Sequence, residues 1–402
     1  MGLKEVIISN LRYIYKKTKC RGDFLYPCSY LILRQLMINS PEDRFFTEKI
    51  MHWHHTLNKR KMPWKGEKDP YKIWLSEIIL QQTRVEQGTG YYLRFIKEFP
   101  TVQKLASAGD DAVFKLWEGL GYYSRCKNLL VSARQIAFEE GGIFPPDYNS
   151  ILKMKGVGPY TAAAIASFAY NLPHAVADGN VLRLLARYYC VKIPIDNNEG
   201  KKFFSGLAQS LLDKKAPGTY NQAIMDYGAV ICKPKLPLCN VCILKSNCKA
   251  FQKDMVAHLP VKINRLVKKQ RRFYFIIAEF DNNIYVRKRT GKDIWQNLWE
   301  FLLFETEADK TVEDLLHSPL FLKTFSEMYK VKYISDHFKQ QLTHQSIEGI
   351  FIYITLAGPL KIENYSAVKK KDLAKLAFPR MVTNFFESGA LERIGRDKLL
   401  LK

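Results

Sequence analysis

The sequence predicts a multi-domain chain, an all-α domain carrying a cysteine loop followed by an α+β domain. Three observations predict it. From about Asp43 to Phe251 apolar residues recur at helical spacing, interrupted only by proline and glycine breaks. At the end of that stretch Cys232, Cys239, Cys242 and Cys248 fall in the spacing C-x6-C-x2-C-x5-C. Beyond it, Phe273–Phe280, Ile284–Arg287 and Ile350–Leu356 are rich in Ile, Tyr and Phe and read as strands. At 402 residues the chain exceeds one comfortable core, and a hydrophobic content of 47% can fill two.

Residues 1–42 form a basic, aromatic extension that matches nothing downstream and is given no function. The helical domain spans 43–251, with breaks at Pro63, Asp69-Pro70, Pro100, Gly141-Gly142, Gly156–Gly158 and Pro173. Asp69 is placed to cap a helix with Pro70 at its first position. Positions 73, 74, 77, 80 and 81 then share one face, so Glu77 lies on a stripe with Ile73, Trp74 and Leu80. A carboxyl there is desolvated, and its pKa is expected to rise. Met154-Lys155-Gly156-Val157-Gly158-Pro159-Tyr160-Thr161 joins two helices through a turn whose glycines can take positive φ, with Pro159 opening the next helix. Its outward N–H groups suit a DNA phosphate, although a tight αα-corner is the plainer use of such a turn. In Ala177-Asp178-Gly179-Asn180 the aspartate can cap the following helix.

Four thiolates in one short segment suit an iron–sulfur cluster, zinc or chance. The single close pair flanked by wider gaps favours a [4Fe–4S] cluster over a zinc ribbon, which brings two separated C-x2-C pairs. Cys20, Cys28, Cys126 and Cys190 are isolated and read as reduced thiols. Residues 252–271 form a basic connector, and the run of Lys262, Arg265, Lys268, Lys269, Arg271 and Arg272 reads as a solvated linker, with phosphate contact the less common use. The second domain occupies 272–402, with helices expected at Val312–Phe321 and Pro379–Ser388.

A formal net charge of +23, from 62 Lys and Arg against 39 Asp and Glu, attracts a polyanion. Nucleic acid is the commonest one in a soluble compartment, and membrane association is not expected. The longest apolar run, Phe24–Leu33, is too short to span a bilayer and lacks a signal-peptide cleavage pattern. The expected location is the cytoplasm, at the nucleoid, and the expected state is a monomer.

Together these features resemble the helix-hairpin-helix DNA glycosylase superfamily, and further motifs narrow the resemblance to the adenine DNA glycosylase (MutY) family. The motifs are Met62-Pro63-Trp64, Asp69-Pro70-Tyr71, Trp74 to Thr83 (WLSEIILQQT), Gly119-Leu120-Gly121-Tyr122-Tyr123, the Gly-Val-Gly hairpin and Asp178-Gly179-Asn180-Val181. The resemblance implies a helix-hairpin-helix glycosylase domain with a [4Fe–4S] loop and a C-terminal Nudix-like domain. It implies Glu77 as the acid that protonates adenine and Asp178 as the anion that steadies the cationic sugar, supported by Tyr160 and Asn180. Cleaving a bond to a poor leaving group needs such a pair. Arg60, Trp64, Leu80 and Gln222 would line or approach the adenine pocket. Gln82, Thr83, Leu120 and Tyr122 would lie at the gap left by the extruded base, and Gly156, Val157 and Gly158 on the phosphodiester.

Tyr160 occupies the hairpin position where the related endonuclease III family has a lysine nucleophile. A phenol cannot form an imine, so the resemblance implies a monofunctional glycosylase leaving an abasic site. The expected partner is double-stranded DNA bearing A:8-oxoguanine or A:G mispairs. The Nudix-like part shows no R-E-x-x-E-E run around Trp295–Asp309 and is left with lesion recognition. Its family loop ending Phe-Ser-His appears as Leu342-Thr343-His344, which makes Thr343 and His344 the candidate lesion contacts. Two other readings remain at this point. One is an endonuclease III-like bifunctional enzyme, and the other a non-catalytic iron–sulfur DNA-binding protein.

Overall fold

The computed structural model describes residues 40–263, 268–306, 310–326 and 328–390. The extension up to residue 39, with Cys20, Cys28 and the Phe24–Leu33 run, lies outside the described residues, as does Arg265 of the connector. The chain divides into two compact units, one holding the residues up to 61 and 162–264, the other 62–161 and the chain from 265 onward. The expected helical span is therefore shared between both units.

In the first unit, α1 (Pro41–Thr56) starts where Ser40 Oγ accepts the Asp43 N–H at 3.1 Å, with proline at its first position. It buries Phe46, Ile50 and Trp53, and the Trp53 indole meets Tyr227 edge-on at 5.0 Å. The second unit opens with α2 (Pro70–Leu80), α3 (Val85–Glu98), α4 (Val102–Ser107), α5 (Asp110–Trp117), α6 (Ser124–Arg134) and α7 (Tyr148–Lys153). The first turn of α8 (Pro159–Tyr170) also belongs to it, and the rest of α8 to the first unit. The first unit then continues through α9 (Gly179–Tyr188), α10 (Asn198–Leu211), α11 (Pro217–Val230) and the short α12 (Lys249–Gln252).

The C-terminal part of the second unit is an eight-stranded mixed sheet. Its long central strands, β1 (Lys269–Phe280) and β7 (Gln345–Leu356), run parallel in unbroken register from Lys269 opposite Gln345 to Glu279 opposite Thr355. Both are buried through their middles because both faces are covered. One face sets Tyr274, Ile276, Ile350 and Ile352 against Phe321 and Phe325. On the other, Phe351 stacks between Phe275 at 4.8 Å and Phe385 at 4.2 Å. Gly349 leaves room there, since a Cβ would come within 2.5 Å of Met381 Sδ and force the methionine to shift. The remaining strands are β2 (Asn283–Lys288), β3 (Trp299–Glu300), β4 (Leu302–Thr306), β5 (Tyr329–Ile334), β6 (Phe338–Gln341) and β8 (Ser366–Lys369).

Two expectations change here. The helix expected at Val312–Phe321 is two helices, α13 (Val312–Leu316) and α14 (Pro319–Phe325), because Ser318 caps a new start and Pro319 takes its first position. The end of the connector is not a solvated linker. Lys269 opens β1, and Arg271, with a side chain only 9% exposed, is held between Asp293 at 2.8 Å and Glu305 at 2.6 Å. The last helix, α15 (Arg380–Glu387), falls where expected. Among the described residues no helix is long and apolar enough to cross a membrane.

Candidate active site and nucleic-acid interface

Glu77 sits in α2, whose start follows the sequence. Asp69 Oδ1 accepts the Tyr71 N–H at 2.9 Å and Pro70 is at the first position. The single apolar stripe does not survive. Every residue from Ile73 to Ile79 is buried, so the helix is sealed on all sides and Glu77 is only 6% exposed. Gln81 is no longer helical; it is the C-cap, and its Nε2 donates to Thr161 Oγ1 at 3.3 Å.

The carbonyls left over at the end of α2 are satisfied by a residue that the sequence did not single out. Arg125, buried in α6, donates Nη1–H bonds to the carbonyls of Ile78, Ile79 and Gln81 at 2.8, 2.8 and 2.7 Å. Its Nη2 reaches the carbonyls of Leu120 and Gly121 and the Thr83 hydroxyl. Burial lowers the guanidinium to about 10. One side chain thus ties the end of the Glu77 helix to the Gly119–Tyr123 loop. Gln82 and Tyr122, one on each tied segment, hold left-handed backbones at φ +55° and +47°. Such strain persists only where surroundings over-determine it.

The hairpin runs from α7 to α8. Gly156 takes φ +81°, and a Cβ there would lie 2.8 Å from Asn128 Cβ. Gly158 does not use positive φ, contrary to the expectation for both glycines; nothing lies within 4 Å of where its Cβ would be. The Val157 N–H is spent inside the turn on the Met154 carbonyl at 3.1 Å, so it is not among the outward donors. Tyr160 is half-buried in the first turn of α8, while Lys153 and Lys155 are exposed before the turn.

In the first unit Asp178 is the N-cap of α9. Its Oδ1 accepts the N–H groups of Asn180 at 3.0 Å and Val181 at 2.8 Å, and its Oδ2 accepts Asn180 Nδ2 at 2.6 Å. Desolvation nonetheless pushes the carboxyl above its ordinary range. Asn180 is oriented in turn by Arg183, whose Nη2 donates to Asn180 Oδ1 at 3.0 Å and to the Gly228 carbonyl at 2.7 Å. The same guanidinium donates through Nε to the Cys232 carbonyl at 2.8 Å. Arg183 is a second residue missed in the sequence; its signal was an arginine one turn from both Asn180 and Arg187 on the polar side of an amphipathic helix.

The four expected pocket residues fall in two places. Arg60 and Gln222 meet at one buried carboxylate, Asp226, which accepts Arg60 Nη1–H at 2.9 Å and Gln222 Nε2–H at 3.1 Å. In the second unit Trp64 packs edge-on against Tyr92 at 5.3 Å, and Leu80 fills the space over Gly88. Thr83 caps nothing but bonds the Gln81 carbonyl at 3.4 Å, and Leu120 is buried.

Tyr122 and Thr343 are brought together, their hydroxyls hydrogen-bonded. They border a cavity of about 530 Å³ with Leu120, Trp295, His344 and Arg380 around it. Thr343 and His344 form the tip of the β6–β7 hairpin, closed by the Leu342 N–H on the Gln345 carbonyl at 2.8 Å.

Cys232, Cys239, Cys242 and Cys248 line one small pocket with Leu184, Tyr188, Ile231 and Leu244. Arg187 laces the loop, donating to the Lys233 carbonyl at 2.7 Å and to Cys232 Sγ at 3.4 Å, and the Tyr227 hydroxyl lies 3.0 Å from Cys242 Sγ. Four sulfurs on a shared apolar pocket with a cation beside them fit a thiolate-bound cluster. Among the described residues, no three or more His, Cys, Asp or Glu side chains stand close enough together to share one metal ion. Cys126 and Cys190 are free thiols.

Residues 75–205 match the HhH-GPD superfamily of base excision DNA repair proteins, and 273–388 match the NUDIX domain family. The fold and the site thus define a helix-hairpin-helix DNA glycosylase of base excision repair with a C-terminal Nudix-type domain. An adenine DNA glycosylase of Buchnera aphidicola subsp. Baizongia pistaciae is 37% identical over 66% of this chain and 75% of its own length. That of Buchnera aphidicola subsp. Acyrthosiphon pisum is 31% identical over 85% of this chain and 97% of its own. The chain belongs to the adenine DNA glycosylase family. The structure of a thermostable thymine-DNA glycosylase matches 53% of this chain and 97% of its own at 27% identity, with a TM-score of 0.49.

Proposed function

We propose that this glycosylase removes adenine mispaired with 8-oxoguanine, and with guanine, from double-stranded DNA, leaving an abasic site. The observation that carries the proposal is the pair of carboxylates with unlike surroundings, in a chain of this family. Glu77 is sealed in α2, whereas Asp178 accepts two backbone N–H bonds and the Asn180 amide, which favour its charged form against the desolvation that raises its pKa. Adenine is extruded from the stack at a cost of a few kcal/mol that a mispair reduces. Glu77 gives its proton to the purine as the N-glycosidic bond breaks and the bonding electrons leave with the base. The Asp178 carboxylate offsets the positive charge at C1′, with Asn180 holding its free lone pairs in place. Water then bonds to C1′ and returns a proton to the Glu77 carboxylate. Tyr160 offers no amine for a Schiff base, so the strand is left intact.

Arg60, Trp64, Leu80 and Gln222 take the adenine; Gln82, Thr83, Leu120 and Tyr122 fill the gap, with Gly156, Val157 and Gly158 against the phosphodiester. Thr343 and His344 read the opposite base. Cys232, Cys239, Cys242 and Cys248 would hold a [4Fe–4S] cluster, which folds the loop and presents Lys233, Lys235 and Lys245 to DNA. The protein works as a monomer in the cytoplasm, at the nucleoid.

The test uses duplexes containing A:8-oxoguanine or thymine glycol, each assayed with and without alkali. Alkali-dependent breakage at adenine, lost in Glu77→Gln, is the expected result. Direct breakage at thymine glycol would overturn the proposal.

A further inference from the structure

Asp226 has no part in the chemistry above, yet its side chain is fully buried at the centre of three polar groups. Oδ1 accepts from Arg60 Nη1 at 2.9 Å and from Gln222 Nε2 at 3.1 Å, and Oδ2 accepts from Asn58 Nδ2 at 2.8 Å. The Asn58 Oδ1 accepts the Arg60 backbone N–H at 3.0 Å, which closes the group on itself. Taking a carboxylate out of water is expensive unless it is paired, so this arrangement holds its members tightly. Gln222 and Asp226 are one helical turn apart on α11 and meet as neighbours on its surface.

The consequence lies in the polarity of the amide. A glutamine side chain ordinarily presents its oxygen or its NH2 to a ligand with little preference, because both ends have the same shape. A carboxylate paired with a guanidinium only accepts, and Oδ1 already accepts the Arg60 Nη1–H. Gln222 must therefore turn its NH2 to Asp226, which leaves Oε1 as the end that the half-buried side chain can offer. We infer that Asp226 is a positioning residue that fixes Gln222 as an acceptor, and so selects purines carrying a 6-amino group. This rests on the adenine proposal above. A 6-amino group donates to Oε1, a purine with hydrogen at C6 makes no such bond, and a 6-oxo group sets acceptor against acceptor. A site built to bond a polar substituent rejects the analogue that lacks it far more strongly than an apolar pocket does.

The test compares single-turnover release of adenine and of unsubstituted purine, each opposite 8-oxoguanine, as a ratio of rate constants. The ratio cancels the shared chemistry of bond cleavage and any general loss of activity. Asp226→Asn lets the Gln222 amide turn either way, and the ratio should fall about tenfold or more. Adding Gln222→Glu to Asp226→Asn should restore it, because a carboxylate accepts in either orientation. If Asp226→Asn does not fold, Gln222→Leu, a change at a half-buried position, must show the same fall. The inference is overturned if the ratio in Asp226→Asn equals that of the parent, if Gln222→Glu does not bring it back, or if Gln222→Leu keeps it. A parent protein that releases neither base fails before any variant is compared, and that result removes the adenine proposal and this inference together.

Discussion

Arg125→Met should unfasten the end of the Glu77 helix. The side chain makes six hydrogen bonds, three of them at 2.8 Å or less to the carbonyls of Ile78, Ile79 and Gln81. Bonds from a charged donor contribute roughly 1.5–3 kcal/mol each when removed singly, but those sharing one guanidinium do not add. Returning the buried cation to water recovers part of the loss. Against a side chain whose guanidinium is lowered to about 10 by burial, a net destabilisation of about 3–5 kcal/mol is expected. With a urea slope of about 2–3 kcal/mol per molar, the midpoint should drop by roughly 1–2.5 M. Trp117 reports the event directly, since its ring lies 5.2 Å from the guanidinium and its Nε1 donates to the Gly121 carbonyl. Arg125→Lys should lose about half as much, because one ammonium cannot reach both the α2 end and the Gly121 carbonyl. An Arg125→Met protein with an unchanged fluorescence midpoint would refute the claim that this side chain holds the two segments together.

The hairpin glycines should behave differently. Gly156→Ala is expected to cost about 1–3 kcal/mol, for its φ of +81° and its clash with Asn128, whereas Gly158→Ala should be near neutral in the same thermal melts. Asp178 carries a pH signature. Its folded carboxyl titrates above the ordinary range, so stability from keeping it protonated is present at low pH and lost as pH rises through the raised value. Relative to Asp178→Asn, the parent should gain stability as pH is lowered from about 7 to about 4 in urea titrations; a constant difference would count against the desolvation. Thr343→Ala and His344→Ala should narrow the preference for A:8-oxoguanine over A:G in single-turnover excision, and equal preference in parent and variants would remove the hairpin from lesion reading.

What the sequence discloses is local. Asp69 and Pro70, Asp178, and Pro159 set helix starts through bonds between near neighbours, so spacing alone finds them. The cysteine loop is legible for the same reason. Arg125, Arg183 and Asp226 are not, because their partners come from distant segments: Ile78 for Arg125, Cys232 for Arg183 and Arg60 for Asp226. A charged residue amid apolar neighbours signals that a partner exists without saying where. The stripe on α2 fails for a related reason. Helical periodicity reports one buried face, and α2 is buried on all of them. In the sheet, runs of Ile and Phe located β1 and β7, but short half-exposed strands such as β5 and β6 carry no such run.

Arg183 reaches from Asn180 at the cap of α9 to the backbone of Cys232, the first cysteine of the loop. Unwinding that loop therefore removes one of the bonds that hold Arg183 behind Asn180, beside the one to the Gly228 carbonyl, and so loosens the side-chain contact that orients Asp178. A molecule whose cysteine loop stayed open would keep its helices but lose part of what fixes the carboxylate at the cap of α9. Order in the cysteine loop and geometry at the cap of α9 are joined in this chain by one guanidinium.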